Sequence, residues 1–174
     1  MTLALRVRTL AVGALAALAL GACKGGSTPT GTTTPPANSN TITLNGATVT
    51  VGIAATNAAR ENGLMGVTRM AADSGMLFVF ADDRQRAFWM CHTPIPLSII
   101  FLDANKKVVF MADMAPNTTT QYGGLNAAQM RYALEVNQGW SASHSITLNT
   151  LATFTLPAGL VIEPDAQGSS TCSP

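Results

Sequence analysis

The chain contains few charged residues, few aromatic residues and little cysteine. Charged residues make up 11% of its 174 residues and aromatic residues 6%, and there are three cysteines and two histidines. Ten Lys and Arg residues nearly balance nine Asp and Glu residues, which gives a formal net charge of +1. A nucleic-acid-binding protein needs a basic face to neutralise phosphates. We therefore expect no nucleic-acid partner, and few residues are available for acid–base catalysis.

The N-terminus has the layout of an export signal. Arg6 and Arg8 precede an uncharged, largely apolar run at residues 10–22. This run has the length of a signal-peptide core and is shorter than the roughly 20 residues that span a bilayer. We therefore predict that residues 1–22 are a signal peptide and that the mature protein lies outside the cytoplasm.

Cys23 ends this segment in the sequence Leu-Gly-Ala-Cys, which resembles the lipobox of bacterial lipoproteins. The resemblance implies cleavage before Cys23 and lipidation of its thiol, which would anchor the protein at the periplasmic or outer-membrane face. An ordinary signal peptide with a stray cysteine and an uncleaved anchor are the alternatives. Residues 23–40 are predicted to form a flexible linker after the lipidated cysteine, because they carry no large apolar side chain.

Residues 41–163 have the size of a single globular domain, and residues 164–174 are predicted to form a loose C-terminal tail. The domain begins with two alternating apolar runs at 41–44 and 47–51. They flank Asn45-Gly46, a pair that tolerates the positive φ values of a tight turn. This arrangement predicts a β-hairpin.

Short strands dominate the rest of the domain. A short helix is predicted to begin at Thr56 or Asn57 and to end at Gly63. The strand-like runs lie at residues 75–80, 86–91, 97–102, 107–111, 132–136 and 145–156. This pattern predicts an α+β fold that is mostly β, with a curled antiparallel sheet or small open barrel and one or two short helices.

Several blocks of this region resemble the domain of unknown function 192 family. They are Gly-Leu-Met at 63–65, Gly-Met-Leu-Phe-Val-Phe at 75–80, Phe-Trp-Met at 88–90, Thr-Pro-Ile-Pro-Leu at 93–97 followed by Ile-Phe-Leu-Asp at 100–103, and Leu-Glu-Val at 134–136 with Gly139. The resemblance implies a small, strand-dominated α+β domain with no established activity. Cys91 and His92 stand where the family usually has Lys and Asn, which implies an intact fold with a changed ligand preference.

Cys91 has two candidate partners. A nucleophile–base pair with His92 is disfavoured, because adjacent residues on a strand point to opposite faces, and only a bend before Pro94 would bring them together. Outside the cytoplasm Cys91 could instead oxidise with Cys172, since Cys23 is expected to carry a lipid. That bridge would tie down the tail and stabilise the protein by about 4 kcal/mol in the chain-entropy model. Two unpaired thiols are the alternative.

The sequence gives only weak support for a metal site or for a catalytic acid. Soft ligands suited to Cu(I) are present at Met65, Met70, Met76, Met90, Met111, Met114, Cys91 and His92. Most of these methionines lie in apolar runs, where they pack in a core, so we expect no metal and no cofactor. Glu135 faces away from Leu134 and Val136, and it could be solvent-facing, line a pocket, or pair with Arg131.

These observations favour a non-catalytic, lipid-anchored envelope protein that binds a small ligand or another envelope component. The predicted binding surface contains Trp89, Cys91, His92, Thr93, Arg131 and Glu135. An enzyme acting on envelope polysaccharide, which would need two converging carboxylates, is one alternative. A copper or redox accessory protein is the other. No catalytic residue is predicted.

Overall fold

Nine strands and two short helices form the regular structure of residues 40–124, 128–166 and 172, which are the residues that the computed structural model describes. The elements are β1 (Asn40–Leu44), β2 (Ala47–Ala54), α1 (Asn57–Asn62), β3 (Ser74–Arg84), β4 (Ala87–Phe88), β5 (Leu97–Leu102), β6 (Val108–Met114), β7 (Tyr122–Gly123), β8 (Met130–Asn137), α2 (Trp140–Ser143) and β9 (Ala152–Thr153). Neither described helix has the length and apolar character needed to cross a lipid bilayer. The predicted signal peptide and the lipidated Cys23 lie outside the described residues.

Seven strands form one curled, half-barrel sheet in the order β6-β5-β8-β3-β2-β1-β9. The mostly β, α+β fold with a curled sheet and short helices is therefore confirmed. One pair departs from the antiparallel pattern, because β2 and β3 run parallel. A parallel pair needs a crossover connection, and α1 lies on that connection. β4 and β7 form a separate two-stranded sheet.

Local sequence signals account for the first elements. Asn45 and Gly46 have φ values of 47° and 81°, as a tight turn between β1 and β2 requires. Helix α1 begins after Thr56, whose side chain accepts a hydrogen bond from the Ala59 N–H at 3.2 Å. Gly63, with φ 43°, follows the last residue of the helix. Both the hairpin and the helix are confirmed where the sequence predicts them.

Each face of the large sheet packs into its own apolar cluster. Leu77, Ile100 and Leu134 contribute to the first cluster, which also packs against Trp140 of α2. Phe78 and Phe101 contribute to the second. Because side chains alternate along a strand, the residue that follows Leu134 in β8 belongs to the second face.

Two predicted strands are shorter than the sequence pattern indicates. The run at 86–91 forms strand only at Ala87–Phe88, and Cys91 and His92 lie in a turn in which His92 has a φ of 51°. The run at 145–156 forms strand only at Ala152–Thr153. Left-handed residues at Ser145 and Asn149, with φ values of 54° and 70°, interrupt the extended conformation there.

Candidate functional site

A cavity of about 390 Å³ lies on the second face of the sheet. Residues from α1, β3 and β8 line it, together with residues of the segment at 84–93 and the C-terminal Asp165. A cavity of this size is typical of a small-molecule site, and this one is lined by polar and charged side chains as well as by aromatic rings.

Glu135 is the buried acid of this cavity. Its exposed fraction is 4%, and its neighbours on the adjacent strands β3 and β5 are Met76 and Ile99. Among the described residues, no hydrogen bond or ion pair reaches its carboxylate. Burial raises the pKa of Glu135 to about 8, because the cavity disfavours the ionised form. At neutral pH the folded protein therefore holds this side chain mostly as the neutral acid.

Aromatic rings form much of the cavity wall. The Phe88 ring lies 5.0 Å from the Phe78 ring in an edge-to-face arrangement, and its centroid is 5.5 Å from that of Phe101. Trp89 also lines the cavity and is half-buried. Gly63 brings the end of α1 against this wall, since a Cβ atom at that position would lie 3.2 Å from Phe78 Cζ. These rings form an apolar part of a lining that is otherwise largely polar.

Arginines border the cavity, and two of them hold the fold together. The guanidinium groups of Arg60 and Arg86 lie 5.1 Å and 4.0 Å from the Phe80 ring centroid. Arg60 Nη1 donates to the carbonyls of Ala55 at 2.7 Å and Val79 at 3.0 Å. These bonds connect α1 to the residue that follows β2 and to β3, so Arg60 positions the cavity wall.

Asp165, in the C-terminal segment, forms ion pairs with all three arginines at the cavity. Its carboxylate accepts a hydrogen bond from Arg86 Nε at 2.9 Å and lies 3.7 Å from Nη atoms of both Arg60 and Arg84. The segment is held further by Glu163, whose carboxylate accepts from the Asn57 N–H at 2.7 Å. The residues at 163–166, the end of the predicted domain and the start of its loose tail, are thus tied to the domain at one edge of the cavity.

Cys91 and Cys172 are joined by a disulfide with their Cα atoms 5.8 Å apart. Cys91 is buried and lines the cavity, so the bridge ties the C-terminus to the cavity wall. The imidazole of His92 is also close, because ligand atoms of Cys91, His92 and Cys172 all lie within 4.8 Å of one another. The turn at Cys91-His92 brings these adjacent residues together, as a strand would not. Cys91 and Cys172 could join His92 in holding a soft metal ion only as thiolates, and sulfurs bonded in a disulfide are not thiolates.

The structure brings four of the six predicted binding residues to the cavity. These are Trp89, Cys91, Thr93 and Glu135. His92 is exposed beside the disulfide. Arg131 does not line the cavity: its Nε donates to Asp83 Oδ1 at 2.9 Å. The considered Arg131–Glu135 pair is therefore wrong, because Arg131 has a partner at the far end of β3 while Glu135 points into the cavity.

No pattern in the sequence predicts the group formed by Arg60, Arg84, Arg86 and Asp165. Arg86 and Asp165 are 79 positions apart in the chain, so no local motif connects them. The only sequence signal was the small number of basic residues: the chain has ten Lys and Arg residues, and three of them are arginines at this cavity.

Two other groups singled out in the sequence belong to the core. Met90 and Met114 are fully buried. Met111 packs in the first cluster and Met114 in the second, so these two thioethers lie on opposite faces of the sheet. Trp140 is buried, and its Nε1 donates to Asp73 Oδ1 at 3.0 Å, which accounts for its polar atom within the fold.

Comparison with known proteins places this fold among uncharacterised relatives. A crystal structure from Sinorhizobium meliloti, described as that of a candidate transcription regulator, is 26% identical with a TM-score of 0.63, covering 67% of this chain and 93% of that chain. A protein of unknown function from Novosphingobium aromaticivorans is 27% identical with a TM-score of 0.61, covering 65% of this chain and 83% of that chain. No curated protein matches the chain significantly.

The family comparison covers most of the domain. Residues 40–153 match the model of DUF192, a family described as an uncharacterized ACR. The match includes Glu135 and the cavity arginines, whereas Asp165 and Cys172 lie beyond it. It agrees with the resemblance carried by the sequence blocks from Gly63 onward. The chain belongs to the DUF192 family of uncharacterised proteins.

Proposed function

We propose that this protein is a lipid-anchored component of the cell envelope whose domain binds a small ligand in the cavity without transforming it. The export signal and the lipobox ending in Cys23 support the anchor and the extracytoplasmic location. The Cys91–Cys172 disulfide is in keeping with an oxidising compartment. The linker at 24–40 would hold the domain roughly 20–25 Å from the membrane, by random-coil scaling.

Glu135 is the observation that carries the binding proposal. Buried polar groups of folded proteins are normally hydrogen-bonded, and no described residue bonds to the carboxyl of Glu135. The carboxyl faces a cavity that is open to a small molecule. A ligand that hydrogen-bonds to Glu135 would supply the missing partner, and the aromatic wall would contact the apolar part of the ligand.

Binding is favoured over hydrolysis of polysaccharide. A glycosidase needs two carboxylates in complementary protonation states on either side of the scissile bond. The nearby Asp165 is held by arginines, and Glu61, which also lines the cavity, is exposed. A copper or redox role has less support, because both candidate thiols are consumed in the disulfide.

We do not extend the description of the S. meliloti protein as a transcription regulator to this chain. A DNA-binding protein needs an excess of positive charge on one face. In this chain the net charge is +1, and the arginines at the cavity are paired with Asp82 and Asp165. The proposed partners are a membrane, through the lipid, and a small ligand or envelope component.

Native mass spectrometry of the protein extracted from its own membranes tests both parts of this proposal. The expected protein begins at a diacylglycerol-modified Cys23 and releases a small molecule on denaturation. The Glu135→Gln and Trp89→Ala variants should release less of that molecule, whereas Arg131→Ala, a control outside the cavity, should match the wild type. An unmodified N-terminus would contradict the anchor. Equal release from wild type and Glu135→Gln would contradict binding in the cavity.

A further inference from the structure

We propose that the ligand is a small organic amine, bound as an ammonium ion whose N–H groups donate to the Glu135 carboxylate while its carbon skeleton contacts the aromatic wall. This inference rests on the proposed binding function and names the chemical class of the ligand. It depends on what lines the cavity: one carboxyl to which no described residue bonds, and several aromatic rings.

The aromatic wall favours a cation over an anion. Phe78, Phe88 and Trp89 line the same cavity as Glu135. Ring faces carry negative charge density and attract ammonium groups, with a strength that grows when water is excluded. An anionic ligand would gain nothing from these ring faces, and only the protonated form of Glu135 could donate a hydrogen bond to it. An alcohol would form a neutral hydrogen bond, which contributes less than a charge-assisted one.

The arginines border the cavity but are directed at acceptors other than Glu135. Arg86 Nη2 lies 2.5 Å from Asp82 Oδ1 and 2.9 Å from Asp165 Oδ2. Arg60 donates to backbone carbonyls and lies 3.7 Å from Asp165. Arg84 pairs with both Asp82 and Asp165. These guanidinium groups are therefore directed at their own partners.

Binding of an amine requires Glu135 to lose its proton. In the empty cavity the carboxyl is neutral at pH 7, and an amine in water is already an ammonium ion. The complex of ammonium and carboxylate thus forms with release of one proton from Glu135 to solvent. The other titratable or charged groups lining the cavity are Arg60, Glu61, Arg84, Arg86 and Asp165, since Cys91 is held in the disulfide. Met76 and Ile99, which flank Glu135 on the neighbouring strands, carry no charge.

Calorimetric titration with three matched probes distinguishes the ligand classes. Cyclohexylamine, cyclohexanol and cyclohexanecarboxylate share one ring and differ in the polar group. The full mature chain, extracted in detergent and freed of retained ligand, is titrated at pH 5, 6, 7 and 9 in buffers of different ionisation enthalpy. Cyclohexylamine should bind most tightly, releasing about one proton per ligand at pH 6. Its affinity should rise about tenfold per pH unit up to pH 7 and level off above pH 8.

Two variants identify the group that binds the amine. Glu135→Gln should weaken cyclohexylamine binding at least tenfold at pH 9 and abolish the proton release at pH 6. Asp83→Asn, which removes an acid that pairs with Arg131 outside the cavity, should leave the affinity and the proton release unchanged. Amine binding without proton release in the wild type would overturn the proposal even if Glu135→Gln failed to fold.

The outcomes also separate this inference from the proposed function. Tighter binding of cyclohexanol or cyclohexanecarboxylate than of cyclohexylamine would overturn the amine assignment and leave the binding function standing. If no probe bound and native protein released the same molecules from wild type and Glu135→Gln, the amine assignment and the binding function would both fail.

Discussion

The burial of Glu135 lowers the free energy of unfolding by an amount that depends on pH. In the unfolded chain its carboxyl ionises near 4.5, whereas in the folded protein its pKa is about 8. Between these values the folded state binds one more proton than the unfolded state, so folding stability falls as pH rises. The slope contributed by this one group is about 1.4 kcal/mol per pH unit, and it vanishes above pH 8.

A Glu135→Gln variant should therefore lack this slope. We expect its free energy of unfolding to exceed that of the wild type by an amount that grows from pH 5 to pH 8. Urea unfolding of both proteins at pH 5, 6, 7 and 8, without ligand, measures the difference. The low pKa of Asp82, about 2 because Arg84 and Arg86 donate hydrogen bonds to it, affects stability only in more acidic solution. A pH-independent difference between the two proteins would contradict the burial of an unpaired carboxyl.

Arg60 is the residue whose loss should matter most among the arginines. Its side chain is 7% exposed and donates to carbonyls of Ala55, Val79 and Glu163. A lysine cannot reproduce this set, because its single ammonium group lacks the planar fork of a guanidinium. We expect Arg60→Lys to lower the free energy of unfolding by about 2–4 kcal/mol, since buried carbonyls would lose their donors. Chemical denaturation checks this value.

Arg131→Lys is the matched control for that change. Arg131 is 31% exposed and pairs with Asp83 at the surface, where an ion pair contributes about 0–1 kcal/mol. A comparable decrease in the free energy of unfolding for the two substitutions would show that the hydrogen bonds from Arg60 to backbone carbonyls do not stabilise the fold.

At the scale of elements, the close contact of β3 with β8 fixes where Glu135 points. Gly75 allows this contact, because a Cβ atom at that position would lie 2.2 Å from the Glu135 backbone oxygen. We expect Gly75→Ala to push the strands apart, lowering stability by about 1–3 kcal/mol and weakening ligand binding. Ser74→Ala, the adjacent change in β3, should do neither. Thermal unfolding and ligand titration of both variants test this, and wild-type behaviour of Gly75→Ala would contradict it.

The local elements follow from local chemistry, which the sequence displays directly. Asn45-Gly46 specifies its turn, and Thr56 and Gly63 delimit α1, because the relevant hydrogen bonds and φ values involve neighbouring residues. The run at 86–91 shows the limit of such reasoning. Its apolar residues pack in the second cluster from a bent segment, since Met90 N donates to Thr118 O at 3.0 Å in place of a strand partner.

At the scale of the whole molecule, the disulfide restrains the C-terminus. It closes a segment with a sequence separation of 81, which corresponds to about 4 kcal/mol in the chain-entropy model. We expect Cys172→Ser to lower the free energy of unfolding by about 2–4 kcal/mol, and a reducing agent to lower that of the wild type similarly. Denaturation with and without dithiothreitol, together with peptide mapping of unreduced protein, measures both effects.

Cys23→Ser serves as the control, because it removes a cysteine outside the disulfide. Its unfolding should respond to dithiothreitol as the wild type does. Insensitivity of the wild type to reduction would contradict a stabilising Cys91–Cys172 bridge.

By itself, the sequence determined the class of fold and the family. Alternation, turn pairs and helix caps are properties of neighbouring residues, and the DUF192 blocks lie in order along the chain. The composition and the N-terminus likewise led to the lipoprotein hypothesis.

Only the tertiary structure decided the environment of Glu135. From the sequence it was a surface residue, a partner of Arg131 or a pocket residue, because strand alternation shows which side chains share a face but not what covers that face. The covering comes from distant segments: α1, the turn at Cys91-His92 and Asp165. These segments pack together around the cavity. The burial that results raises the pKa of Glu135 and so determines its charge.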